Sequence, residues 1–223
     1  MNYDGLSKYD ANVARNYERD RKGEAHWQDE QAFMAAHCAS RRLGHILDLP
    51  VGTGRFFEYY TAAESVLGID ISQHMLAVAR DKASTLGLSK LQLAEGNALS
   101  LNCADAQFDT VVCFRLVHLI PAELIPALFF ELARVTRGDL LMQIYAAPEP
   151  SKVSWIQRAG GRLRRLFQDA PGENAKPWSH IQSYAHTRQF LITAAERAGW
   201  RLVKCHEISV YLGSSVDVLE LSK

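Results

Sequence analysis

Ile46-Leu47-Asp48-Leu49-Pro50-Val51-Gly52-Thr53-Gly54-Arg55 is the stretch that decides the fold. An apolar run ends in an acid and passes at once into a turn carrying Gly52 and Gly54. A strand that breaks this way and opens a helix lets a ligand approach backbone, because glycine has no Cβ. The start of the helix adds free amides beside it. The pattern predicts a strand over 45–49 and a helix over about 55–64, with an ordinary strand-to-helix turn as the alternative.

The same alternation continues outward. Val66–Ile69 closes in Asp70, Leu91–Ala94 runs into Glu95, Thr110–Phe114 follows Asp109, and Leu140–Tyr145 is a fifth apolar run. Helices are predicted between them at about 73–86 and 121–136, the second opening at Pro121 and stopping before Gly138. Such alternation implies an α/β, doubly wound, mostly parallel sheet with helices on both faces. A further helix runs from Thr187, a cap, to Gly199, a stop. Two strands, 201–210 and 216–221, then flank Leu212-Gly213-Ser214-Ser215, a connection short enough to require an antiparallel hairpin.

Upstream, residues 7–42 read as helical. Ser7 with Asp10 resembles a capping box, and Tyr9, Val13 and Tyr17 recur every four residues. From about His26 to Arg42 a second helix places Trp27, Gln31, Met34 and Cys38 on one side. Residues 146–186, with Gly160-Gly161, Pro171-Gly172 and Pro177, break the rhythm as an inserted lid. The organisation expected is one domain over 1–223, with a helical cap at 1–42 and the lid at 146–186.

Composition narrows the function. The 223 residues carry 25 basic and 25 acidic side chains, so there is no overall basic footprint for a nucleic acid. Cys38, Cys103, Cys113 and Cys205 are scattered without a CxxC, which disfavours both structural zinc and a disulfide framework. No apolar run reaches the ~18–20 residues of a membrane span, and the start lacks the order of a signal peptide. A cytoplasmic protein with a small-molecule partner, as monomer or homodimer and without a metal, is the expectation.

Two ligand families use the geometry of the quoted turn. The dinucleotide fingerprint needs a third glycine where Phe57 stands, which disfavours a nicotinamide oxidoreductase. Asp48-x-Pro50-x-Gly52-x-Gly54 instead resembles the acid-x-Gly-x-Gly-x-Gly signature of class I S-adenosylmethionine (SAM)-dependent methyltransferases, with Pro50 in place of the first glycine. Asp70, at the end of the second strand, is spaced to accept both ribose hydroxyls, and Ser72 is free to cap the next helix in its stead. Glu95-Gly96-Asn97-Ala98 is similar to the segment that reads adenine, although Asn97 also suits a turn. Tyr9 to Arg21 is similar to the leader that folds over the cofactor in small-molecule members, and an amphipathic structural helix is the alternative.

The resemblance implies a Rossmann-like seven-stranded sheet whose last strand is antiparallel, with SAM as cofactor and S-adenosylhomocysteine as product. It implies cofactor contacts from Tyr17, Asp48, Pro50, Gly52, Gly54, Asp70, Ile71, Met75, Asn97, Ala98, Phe114 and Arg115. The sulfonium is already an activated leaving group, so the protein aligns the reactants and excludes water. A base is required only for an acceptor that loses a proton. His118, after the fourth strand, is the candidate base, with a role in orienting the next helix as the alternative. Tyr9, Arg158, Arg162, His180, Tyr184 and His186 are the substrate candidates.

Ser151–Gln168 holds Lys152, Arg158, Arg162, Arg164 and Arg165 and no acid. This run suits either a solvated helix face or arginine forks for a small anionic substrate such as a carboxylate, phosphate or phosphonate. The competing functions are RNA or protein methylation and a non-catalytic methyltransferase-like binding domain.

Overall fold

In the computed structural model, which describes residues 10–148 and 183–223, the quoted stretch opens with β1 (His45–Asp48) at the middle of the sheet. It pairs in parallel with β2 (Ser65–Asp70) on one side and β4 (Phe108–Cys113) on the other. Ile46 and Leu47 are both fully buried, on opposite faces. That is why β1 reads as a continuous apolar run rather than an alternating one. The sheet continues with β3 (Leu91–Glu95), β5 (Thr136–Ala147), β7 (Arg201–Tyr211) and β8 (Ser214–Ser222) in the order β3-β2-β1-β4-β5-β8-β7. A two-residue β6 (His186–Thr187) pairs in parallel with the end of β5 as an eighth strand off this path.

β8 runs antiparallel to β5 and to β7, so it alone is reversed. The expected hairpin is there, tightened to Leu212-Gly213, both with positive φ (49° and 82°), and its last strand slots between β5 and β7. Because β8 is interior, its acids are buried and paired. Asp217 accepts from Arg188 Nε at 2.9 Å, and Glu220 meets Arg41 Nη1 at 2.6 Å and His206 Nε2 at 3.0 Å.

Alternate strand residues feed two cores. Leu47, Val111, Leu140, Met142 and Leu219 pack on one face with α4 (Ile125–Val135) and α5 (Arg188–Arg197). Ile46, Val112, Leu141 and Val218 pack on the other with α2 (Ala25–Ser40) and α3 (Gln73–Thr85). α1 (Ala11–Arg21) lies against α3. Ser72 caps α3 by accepting from Met75 N, and Thr187 caps α5 by accepting from Phe190 N, as the sequence implied.

The structure corrects five expectations. No α-helix follows the glycine turn: residues Phe57–Tyr59 form a single 3₁₀ turn. Phe56, Phe57 and Tyr60 are all buried, and their spacing suits a helix and a 3₁₀ turn equally well. α1 is capped by Asp10, whose carboxylate accepts from Asn12 N and Val13 N, so Asp10 is itself a cap; Ser7 lies outside the described residues. The α2 stripe runs through Trp27, Glu30 and Met34, not through Gln31. Pro121 opens a 3₁₀ turn (Ala122–Leu124), and α4 begins at Ile125 with Pro126 in its first turn, where no amide donor is needed. The bounds 146–186 expected for an inserted segment overlap the sheet, because Ala146 and Ala147 belong to β5 and His186 to β6.

Candidate functional site

The carboxyl ends of β1, β2 and β4 and the loop after β3 line a cavity that opens to solvent. It stands where ligands bind in open α/β sheets. Of the twelve residues implied as cofactor contacts, eleven line it: Tyr17, Asp48, Pro50, Gly52, Asp70, Ile71, Met75, Asn97, Ala98, Phe114 and Arg115. Gly54 does not. Its φ is +76°, and a Cβ there would lie 2.2 Å from the Phe57 ring, so this glycine serves the turn and the core. Gly52 is the cavity-facing one: at φ +56°, a Cβ would meet only Met75 Cε at 4.0 Å.

Asp70 is oriented by backbone. Its Oδ2 accepts from Gly52 N and its Oδ1 from Ser72 N, each at 2.9 Å. These bonds tie the ends of β1 and β2 together and leave each oxygen further lone pairs for ligand hydroxyls. Burial raises the Asp70 pKa, and the backbone donors counter that shift. Asp48 is buried more completely. It accepts from Tyr60 O–H at 3.0 Å, and burial pushes its pKa up to about 7. A cationic ligand group would hold it ionised. The Leu49–Pro50 peptide is cis.

Asn97 lines the cavity, and its Oδ1 accepts from Leu99 N at 3.0 Å. The turn role is therefore realised in the side-chain oxygen, and the NH2 group remains for a ligand. Phe114 sits at the rim of β4 against Phe56, with ring centroids 5.0 Å apart. Tyr17 of α1 packs edge-on against Trp27 at 6.1 Å.

The glycines, the oriented carboxylate and the cavity fit a nucleoside bound by its ribose. Residues 46–139, less than half of the chain, match a family model described as a methyltransferase domain. A phosphatidylethanolamine N-methyltransferase of Cereibacter sphaeroides is 34% identical over 136 residues, which are 60% of this chain and 66% of that relative. The chain resembles class I SAM-dependent methyltransferases.

Solved structures share this fold. The magnesium protoporphyrin IX methyltransferase of Synechocystis PCC 6803 with bound S-adenosylhomocysteine superposes with a TM-score of 0.67 at 18% identity, covering 96% of this chain and 100% of that one. A [4+2]-cyclase superposes with a TM-score of 0.66 at 16% identity, covering 87% and 80%. The shared fold thus reaches beyond proteins named as methyltransferases. The alignment to the Cereibacter relative falls just short of two thirds of that protein's length.

Other sequence candidates lie beside the cavity or outside the described residues. His118 is half-buried in the loop whose neighbours Leu116 and Leu119 line the cavity, and its ring stands edge-on to Tyr145 at 5.0 Å. Tyr184 N donates to the His118 carbonyl at 2.7 Å, tying the chain just before β6 to this turn. His186 is a correction. It is buried, its Nε2 is engaged with the Ile120 carbonyl at 2.9 Å, and it stacks on Phe190, so it pins the β6 end and is not available to a substrate. Tyr9, Arg158, Arg162 and His180 lie outside the described residues, as does the basic run from Lys152 to Arg165.

Sequence reasoning passed over Trp27, Thr53, Arg55 and Phe56, which also line the cavity, and Glu30 behind them. Glu30 carried a usable signal. A glutamate between Trp27 and Met34 on one apolar stripe must be buried, and a buried carboxylate needs a cation.

Proposed function

We propose that this chain transfers a methyl group from SAM to a small molecule by direct in-line displacement. The observation that carries the reading is Asp70, fixed by the amides of Gly52 and Ser72 and facing a cavity whose nearest glycine is open to it. Asp70 would hold the ribose hydroxyls, and Asn97 with Ala98 would read the adenine edge. Asp48 is the carboxylate for the ammonium group. Bound SAM supplies an activated methyl on sulfonium. The remaining work falls to the chain: Phe114, Leu116, Leu119 and Ile120 wall the cavity with apolar surface and exclude water.

A small-molecule acceptor is supported by the names of the relatives, one a phosphatidylethanolamine N-methyltransferase and one a magnesium protoporphyrin IX methyltransferase. The run of five basic residues between Ser151 and Gln168 supports an anionic acceptor. Residues 1–42 serve as the cap of a single domain: α1 and α2 supply Tyr17 and Trp27 to the cavity wall. For an acceptor that loses a proton, His118 is the base, placed on the loop that walls the cavity.

The likeness to a [4+2]-cyclase favours a second reading in which the nucleoside is bound but no methyl is transferred. Calorimetry with SAM, S-adenosylhomocysteine and NAD separates the ligand classes. S-adenosylhomocysteine should bind, and Asp70→Ala should weaken it by more than about tenfold by removing hydrogen bonds to a charged acceptor. Binding of NAD alone would overturn the assignment. Transfer of a labelled methyl to fractionated metabolites separates turnover from binding, and substitution of Arg158, Arg162 and Arg165 by alanine should then raise the KM for an anionic acceptor.

A further inference from the structure

Arg55 and Arg115 bring two guanidiniums to one wall of the cavity, and both lean on one buried carboxylate. Arg115 Nε donates to Glu30 Oε2 at 3.2 Å, and Arg55 Nη1 donates to the same oxygen. Glu30 is fully buried, and each arginine is only 9% exposed. Trp27, on the same stripe of α2, stacks on both cations, with Arg55 Cζ 3.6 Å and Arg115 Cζ 5.2 Å from the ring centroid. The Trp27 carbonyl accepts from Arg55 Nη2, and His26 Nε2 accepts from Arg115 Nη2 at 2.6 Å. Glu24 approaches Arg115 at 3.7 Å and is shared with Arg21 at 3.5 Å.

Arg55 and Arg115 therefore share one Glu30 carboxylate oxygen at the cavity wall. Among the described residues, Arg55 Nε and Glu30 Oε1 are both buried without a hydrogen-bond partner. Arg115 also holds a left-handed φ of +61°, with its backbone N donating to Gln143 Oε1 at 2.9 Å. A bulky residue in that region is a strained position, and strain of this kind persists where the surroundings enforce it. Two buried guanidiniums on one carboxylate oxygen retain donor capacity that an arriving anion can satisfy. Asp48 and Asp70 line the same cavity, so it carries carboxylates as well as guanidiniums. This polarity matches a ligand end group that carries both an ammonium and a carboxylate.

We propose that Glu30 of α2 is a positioning residue that holds the Arg55 and Arg115 guanidiniums in the cavity wall to receive the α-carboxylate of an S-adenosyl amino acid. This rests on the SAM-binding reading above. It makes the N-terminal helix pair part of ligand recognition through chemistry that does not touch the ligand itself.

Calorimetry with two probes tests it: S-adenosylhomocysteine and its analogue lacking only the carboxylate. The unmodified protein should prefer the carboxylate form by about ten- to hundredfold, as charge-assisted pairs imply. Glu30→Gln should shrink that preference to within about threefold, leaving affinity for the decarboxylated probe within about twofold, because only the charged pairing is removed. Arg55→Gln should shrink it as well, and it decides the matter together with the unmodified protein if Glu30→Gln fails to fold. Equal affinity for the two probes in the unmodified protein, or parallel loss of both in Glu30→Gln, overturns the positioning role. If neither probe binds the unmodified protein, the SAM reading falls instead.

Discussion

The cavity is built by two regions that solve the same problem with different chemistry. The turns after β1, β2 and β3 present backbone: Gly52 N and Ser72 N fix Asp70, and Leu99 N fixes Asn97. The N-terminal helices present side chains: Glu18 accepts from Thr53 Oγ1 at 2.8 Å and from Lys82 Nζ at 3.0 Å, and Glu30 pins Arg55 and Arg115. Backbone donors are set by strand register and need no side-chain ordering. Charged pins must order long side chains, and their contribution varies with pH and salt. The turn side should therefore fail by steric damage, and the cap side by loss of charge.

Gly54→Ala should be the most damaging single change. Its Cβ would strike the Phe57 ring at 2.2 Å at a φ that disfavours a side chain, so a stability loss of about 3 kcal/mol or more is expected in urea unfolding. Gly52→Ala is the contrast. It meets open space and should cost only about 1 kcal/mol of backbone strain, while still weakening S-adenosylhomocysteine by blocking close approach. A Gly54 variant as stable as the Gly52 variant would break the distinction.

pH gives opposite signs on the two sides. His26 is held neutral by burial and by the Arg115 charge, with its pKa lowered to about 4. Between pH 4 and about 6.5 the unfolded chain binds the extra proton, so stability rises with pH through this window and is lost as pH falls. Asp48, raised to about 7, behaves inversely. From about pH 4 to 7 the native state holds the extra proton, so its contribution is full at low pH and declines to a lower plateau above 7. Each slope is at most about 1.4 kcal/mol per pH unit. Thermal unfolding of His26→Gln and Asp48→Asn across pH 4–8 should remove the two slopes separately. Asp48→Asn should also raise the unliganded Tm at neutral pH while weakening a cationic ligand.

The smallest effect is expected at Glu18→Ala, which removes a partly exposed link between α1, the turn and α3. About 1 kcal/mol of stability should be lost, with ligand affinity changing little and the effect shrinking in high salt. A large affinity loss would show that α1 acts on the ligand as directly as α2.

Most of the turn side was legible in the chain. Strand cores, the acid ending β2, the Ser72 cap and the reversed hairpin depend on local pattern and on neighbours a few residues away. The cap side was not. Arg55 and Glu30 are 25 residues apart, and Arg115 and Glu30 are 85 apart, so no local period links them. The different surroundings of Gly52 and Gly54 were hidden for a related reason: a motif gives spacing, and only the packed Phe57 ring shows which glycine abuts the core.

By itself the sequence determined the succession of the long strands and of most helices, the family resemblance, and the positions of Asp48, Asp70 and Asn97. These are consequences of backbone propensity and burial periodicity, which are written locally. Only the tertiary structure decided that α2 closes one wall of the cavity, that two guanidiniums share Glu30 across a Trp27 ring, and that His186 pins a strand. Each of these joins residues distant in sequence through side chains whose partners exist only once the sheet has formed.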